Sequence, residues 1–381
     1  MSKYFYLLGI IFLILHSNIA LHAKPEQGFY IEQRVDTYRV VTDITEEVVF
    51  TSLSASMSIQ WAIDNISNEG LPGGEVHIKT GSYPLDNYVI LRDNIWLHGD
   101  GPTTELYINS QLIQAILIQD AKMAMVSDLS LTNRSKQAKP PRGIIMERSI
   151  NCQVINVDIS GFGIGILNNL ESSLILFNSN NLTDNSTQVL IHTGGGVIAR
   201  WLPILITNNT IEGGDVGISC DAMVTHILDN KIMNTSKSAI VASANSIVVR
   251  GNHIENAGGD FAIYGNGAEF NCTKNFIHNS GGGIRTRTRW GTFSNNTIEN
   301  SGSDTTKSIG ILIVSDDANE GPAESKVVYN NTIRNDGDIT KLKYGIKEAG
   351  LNSVIAKNKI KNAEYSILSE GKETIVKENV E

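Results

Sequence analysis

The chain has 381 residues, of which 41% are hydrophobic and 7% aromatic, and a formal net charge of −9 from 40 acidic and 31 basic side chains. That length is large for one globular core but ordinary for one elongated solenoid. The acidic balance disfavours nonspecific nucleic-acid binding, and it leaves room for a few arginines to hold an anionic ligand locally.

Residues 1–23 begin Met-Ser-Lys, run through an apolar stretch at 4–15 and end Leu21-His-Ala23. This pattern predicts a signal peptide cut after Ala23. Its apolar core is too short for a membrane span, and no later stretch qualifies. The mature chain of 358 residues (381 minus 23) is therefore expected to be secreted or periplasmic, with no membrane span after signal removal. Residues 24–72 are expected to hold an N-terminal segment and a capping helix. Ile59, Ala62, Ile63 and Ile66 share one helical face, suited to covering the end of a solenoid.

The remainder, 73–381, is dominated by a repeat. An Asn-x-Ile triplet recurs at Asn209, Asn230, Asn252, Asn275, Asn296, Asn331 and Asn358, in steps of 21, 22, 23, 21, 35 and 27 residues. Asn156-Val-Asp-Ile159 and Asn180-Asn-Leu182 extend the series upstream. Each unit also carries a Gly/Ala-Ile element, such as Gly217-Ile218, Ala239-Ile240, Gly283-Ile284 and Gly345-Ile346. The apolar runs are short and the breakers frequent, so the units are strands, not helices. The predicted fold is all-β, a right-handed parallel β-helix with an N-terminal capping helix. Matched isoleucines would stack inside, matched asparagines would form an amide ladder at a bend, where their tolerance of unusual backbone angles helps, and glycines would serve the remaining tight corners. The step of 35 residues after Asn296 marks a loop insertion near 315–325. Cys152, Cys220 and Cys272 are odd in number, and Cys152 lies about five coils from Cys272, roughly 24 Å, so buried free thiols are expected. No cysteine pair has zinc-ligand spacing, and no Met-His or Cys-His cluster supports a metal-handling protein, so no metal ligands are predicted.

Alternation places Arg285, Arg287 and Arg289 outward once Ile284 points in. Guanidinium forks bind carboxylate or sulfate bidentately, so this stripe suits an acidic polysaccharide. Stacking the coils puts His192, Ser219, Val241, Tyr264, Arg285, Leu312 and Lys347 in the row one residue after the inward Ile. The row three residues after it holds Gly194, Asp221, Ser243, Asn266, Arg287, Val314 and Ala349, with Asp316 at five beside Arg289. β-Elimination of a uronide needs a cation on the carboxylate, a base for the α-proton and an acid for the leaving oxygen. Tyr264, Arg285, Arg287 and Asp316 are the catalytic candidates, and Arg289, His192, Asp221 and Asn266 the substrate-binding ones. Asp316 and Asp317 are also the pair that hydrolysis would use. No cofactor is implied. Calcium is the ion to test although no motif indicates it, Asp336-Gly-Asp338 reading as a turn.

Residues 73–84 (Gly-Gly-Glu-Val-His-Ile-Lys-Thr-Gly-Ser-Tyr-Pro) and 89–101 (Val-Ile-Leu-Arg-Asp-Asn-Ile-Trp-Leu-His-Gly-Asp-Gly) follow the helix. In that order they resemble the opening of pectate-lyase-like β-helix proteins, and with the downstream coils the resemblance covers most of the mature chain. It implies the fold, and members include lyases, hydrolases, epimerases and non-catalytic binders. Among these, the chain resembles the mannuronan C5-epimerases, whose active coil carries Ser-Gly-Tyr-Gly-Phe-Asp-Pro-His. The matching stretch here is Ser160-Gly-Phe-Gly-Ile-Gly-Ile-Leu167, with Phe162, Gly165 and Leu167 in place of the Tyr, Asp and His. That departure withholds the epimerase chemistry from this coil, and the polygalacturonase motifs are absent. The expected function is a secreted carbohydrate-active protein that engages an anionic polysaccharide, with lyase-type catalysis ahead of binding alone. The alternatives are non-catalytic surface recognition or adhesion, and glycoside hydrolysis.

Overall fold

A computed structural model describes residues 28–68, 73–169, 171–192, 202–222, 224–243, 245–301, 308–314, 325–336 and 342–380. The expected signal peptide, the insertion at 315–324 with Asp316 and Asp317, and Gly194 lie outside the described residues. The described part contains 36 strands and one helix, α1 (Ala55–Asn68). None of its helices is long and apolar enough to cross a membrane.

Three parallel ladders, here sheets A, B and C, run the length of a β-helix. A typical coil visits sheet B (Val224–Leu228), sheet C (Lys231–Met233) and sheet A (Ile240–Ser243) before returning to B at Ser246–Arg250. Each isoleucine motif has its own interior stack. In sheet A, Ile116, Ile144, Ile166, Val189, Ile218, Ile240, Ile263, Ile284, Ile311 and Ile346 are consecutive partners. In sheet C, the Ile or Leu of the asparagine triplets does the same from Leu182 through Ile211, Ile232, Ile254, Ile277, Ile298 and Ile333 to Ile360. All of these side chains are buried, with at most 2% exposure. Every coil thus removes branched apolar surface from water against the coils on either side, which one coil alone cannot do.

The bend between sheets B and C carries the asparagine ladder. Asn180, Asn209, Asn230, Asn252, Asn275, Asn296, Asn331, Asn358 and Asn379 are linked in series, each Oδ1 accepting from the backbone N–H and the amide of the preceding member. Two details differ from the sequence reading. Asn156 is not a ladder member: Val157 occupies that position, donating its N–H to Asn180 Oδ1. Nor do the ladder residues need unusual backbone angles. The residue just before each of them does, as at Ser179, Asn208, Asp229, Lys274, Asn295 and Asn330, with φ of 53–58°.

Corners fall as expected to Gly161, Gly213, Gly214 and Gly251, with φ of 70–79°, and the glycines of the Gly-Ile elements have a different part. They serve close approach rather than corners: a Cβ on Gly310 would lie 2.6 Å from Gly345 O and 2.7 Å from Ile333 Cγ2. At the N-terminal end, α1 buries Ile59, Ala62, Ile63 and Ile66 as its face predicts. An antiparallel meander precedes it (Gly28–Arg34, Thr37–Thr42, Val48–Ser52), and its first strand pairs in parallel with Gly74–Ile78, so it extends sheet B.

Candidate functional site

The arginine stripe lies on Ile284–Ser294, an 11-residue strand that passes from sheet A into sheet B without a break, as its neighbour Ile263–Thr273 does. Thr286 and Thr288 point inward and are buried. Arg285 and Arg287 face outward half-buried, and Arg289 is exposed. The register puts Tyr264 beside Arg285 and Asn266 beside Arg287. The Arg285 guanidinium stands 5.3 Å from the centre of the Tyr264 ring, a cation–π contact. Its Nε is buried with no hydrogen-bond partner. Arg134, Arg148 and Arg334 each hold a carboxylate, whereas Arg285 has none within ion-pair distance among the described residues. Trp290 follows the stripe, 45% exposed.

Among the described residues, the two outward rows agree with expectation except at His192. Ser219, Val241, Tyr264, Arg285, Leu312 and Lys347 are successive partners. His192 does not precede Ser219, because Leu190 pairs there and Ile191 pairs with Cys220. His192 instead lies over Asp221, with Nδ1 2.5 Å from its carboxylate. The inward residue equivalent to Ile218 is Val189, so choosing Ile191 as the anchor displaced His192 by two residues along the strand. Asp221, Ser243, Asn266 and Arg287 then follow in one row, which places Asp221 three rungs, about 14 Å, from Arg287. The structure therefore brings Tyr264, Arg285, Arg287 and Asn266 together and holds His192 with Asp221 as a separate pair further along the same face. Lys347 is engaged by Glu370 at 3.5 Å.

In the stretch matched to the epimerase coil, Phe162 is buried in the core, with 1% exposure. A Cβ on Gly165 would meet Gln188 O at 2.7 Å. Leu167 joins an outward apolar cluster with Leu117 and Ile145. Nothing at these three positions can exchange a proton. The cysteines are all free and buried.

Sequence reasoning missed a second polar cluster on sheet B. Glu75 and His77, on Gly74–Ile78, lie beside Trp96 and His98 on Ile95–Gly99. His98 Nε2 is 2.6 Å from Glu75 Oε1, and His77 Nε2 is 2.6 Å from Asp100 Oδ1. The two imidazoles stack at 4.5 Å, and Trp96 stacks on His98 at 4.2 Å. The available signal was an outward His at equivalent places 21 residues apart, one coil, with a Glu two residues before the first.

Residues 216–380 match the family model described as a right handed beta helix region. No curated protein matches the chain. Among solved structures, the A-module of mannuronan C-5 epimerase AlgE4 from Azotobacter vinelandii superposes with a TM-score of 0.54 at 18% identity, covering 85% of this chain and 96% of that one. The catalytic domain of a GH87 α-1,3-glucanase gives 0.58 at 14% identity over 84% of this chain and 67% of that one. The Streptococcus pneumoniae surface adhesin PfbA gives 0.51 at 12% identity, with 84% and 88% covered. These identities speak to fold and leave activity to the site. The ladders, the family model over residues 216–380 and the superpositions together show that the chain folds as a right-handed parallel β-helix.

Proposed function

We propose that this is an exported protein that engages an acidic polysaccharide along the outer face of sheet A. One observation carries the reading: Arg285 is half-buried, stacked on Tyr264 and without a carboxylate of its own among the described residues. A guanidinium held that way keeps its remaining N–H donors for an external anion, and a uronate carboxylate matches their geometry. Tyr264 and Trp290 offer ring faces to sugar rings, and Arg287, Arg289 and Asn266 extend the polar track. Similar folds include proteins named for acting on polysaccharides, a mannuronan epimerase and an α-1,3-glucanase.

The Tyr264–Arg285 contact favours lyase chemistry over hydrolysis. Arg285 neutralises the uronate carboxylate and so acidifies the α-proton. The Tyr264 oxygen removes that proton, the electron pair forms the ring double bond as the bond to the glycosidic oxygen breaks, and the departing oxygen takes the proton back from the Tyr264 hydroxyl so formed. Asp221, about 14 Å from Arg287 along the sheet A face, and His192, one rung beyond it, are assigned to binding a neighbouring part of the polymer.

The test is incubation of the mature protein with pectate, alginate and a glycosaminoglycan, with and without calcium. Ultraviolet absorbance of unsaturated uronide and new reducing ends are followed in parallel. Absorbance that is lost in Tyr264→Phe supports the lyase. Reducing ends alone move the chemistry to a hydrolase using Asp316 and Asp317. Retention on an acidic polymer with neither signal leaves binding as the function, and no retention on any of them refutes the proposal.

A further inference from the structure

We propose that Glu75, His77 and His98 form a binding site for a zinc-class divalent ion on the outer face of sheet B. One oxygen of Glu75 and one nitrogen from each ring lie within 4.8 Å of one another, on adjacent rungs. Carboxylate and imidazole donors in that number suit zinc, with water completing the coordination.

The outer hydrogen bonds select the ligand atoms. His77 presents Nε2 to Asp100 Oδ1 at 2.6 Å. Its N–H is thereby committed to a carboxylate, and Nδ1 keeps the lone pair. His98 presents Nδ1 to Gly99 O at 3.3 Å and Nε2 to Glu75 Oε1 at 2.6 Å. A neutral imidazole has one N–H, so it can serve only one of those two acceptors. An Nε2–H that serves Glu75 leaves Nδ1 bare beside Gly99 O, whereas an Nδ1–H that serves Gly99 O leaves the Nε2 lone pair facing the Glu75 carboxylate, a pair of donors that a metal ion would bridge. A carboxylate or carbonyl behind each ring is the usual outer support of metal-bound histidine.

The surroundings hold the ligands still. His98 is 8% exposed and lies under Trp96, whose Nε1 donates to Ser127 Oγ at 2.9 Å. The His77 lone pair is taken by a cation already, since Lys79 Nζ is 3.3 Å from Nδ1. The ammonium also sits 5.0 Å from the Tyr30 ring, so it has another place to rest when a metal displaces it. In this arrangement Lys79 is a competitor for the site.

The experiment is zinc titration of the full chain after chelator treatment, read by calorimetry and by thermal unfolding, with calcium as the oxygen-preferring control. Expected are one zinc per chain, a rise in melting temperature with zinc and none with calcium. Affinity should fall at least about tenfold in Glu75→Gln and His98→Ala. Lys79→Met should bind more tightly than the parent, an outcome that adventitious binding to surface histidines does not produce. Circular dichroism checks that each variant is folded, and His77→Ala supplies a second ligand test if His98→Ala is not. Absence of zinc binding, or zinc binding indifferent to Glu75, His77 and His98, overturns the proposal. Neither outcome bears on the sheet A face, which uses none of these residues.

Discussion

Replacing Asn252 by leucine keeps a similar volume and removes every side-chain polar contact of one ladder rung. Asn252 Oδ1 accepts from Asn230 N and Nδ2, both at 3.0 Å, and its Nδ2 donates to Ile227 O at 2.9 Å and Asn275 Oδ1 at 3.0 Å. After the change, Asn275 Oδ1 still accepts from the backbone of residue 252, and Asn230 Nδ2 still donates to Ile206 O. The Asn230 N–H and the Ile227 carbonyl lose their ladder partners in the interior. A buried unsatisfied group costs about 1–3 kcal/mol, so Asn252→Leu should destabilise the protein by roughly 2–6 kcal/mol. The assay is the denaturant midpoint followed by far-ultraviolet circular dichroism. The control is Asn178→Ala, a half-buried residue whose Oδ1 accepts one exposed bond from Asn208 at 3.0 Å, expected to fall within about 0.5 kcal/mol of the parent. If the two variants lose equal stability, the buried ladder is not what ties the coils together at this bend.

Two further outcomes follow from buried titratable groups. Burial, with Arg250 nearby, lowers the His226 pKa to about 4 from an ordinary value near 6.5. The unfolded chain therefore takes up a proton that the folded one refuses. Stability is full above pH 6.5 and is lost as pH falls toward 4, by roughly 3 kcal/mol from this residue. Unfolding midpoints at the two pH values should show a shallower loss in His226→Leu, and an unchanged slope would count against the assignment. Burial pushes the Cys152 and Cys220 thiols up to about 11 and raises Cys272 as well. A thiol reagent at pH 8 should label none of the three in the folded protein and all three in denaturant. Fast labelling of the folded protein would mean that a coil opens.

The parts of this molecule that repeat were legible in its sequence, because stacking turns a repeated residue into a continuous row. Ile218, Ile240, Ile263 and Ile284 are neighbours in space because the motif recurs once per coil. The same logic paired Tyr264 with Arg285 correctly. It failed where the anchor was ambiguous by two: Val189 and Ile191 both point inward, and parity alone does not choose between them. It also failed where one residue breaks an apolar row. Glu348 points into the interior with no exposure, satisfied by Gly350 N, Ser369 Oγ and Thr374 Oγ1. Lys326, equally buried, donates to Thr288 O. Alternation marks these positions as inward, but only the three-dimensional partners make charge tolerable there. The cluster of Glu75, His77 and His98 escaped because its first coil lies in the resemblance segment and not in the asparagine series, so no row was drawn through it.

The most direct test of the functional account is the affinity of Arg285→Ala and Arg285→Lys for an acidic polyuronate, beside a neutral polysaccharide. Loss of a charge-assisted pair worth about 1.5–3 kcal/mol should weaken polyuronate binding by Arg285→Ala roughly ten- to hundredfold. Lysine, keeping the charge without the fork, should recover part of it. The neutral polymer should not distinguish the three proteins. Equal polyuronate affinity for the parent and Arg285→Ala would contradict the account, since the sheet A face would then bind without the residue on which the reading rests.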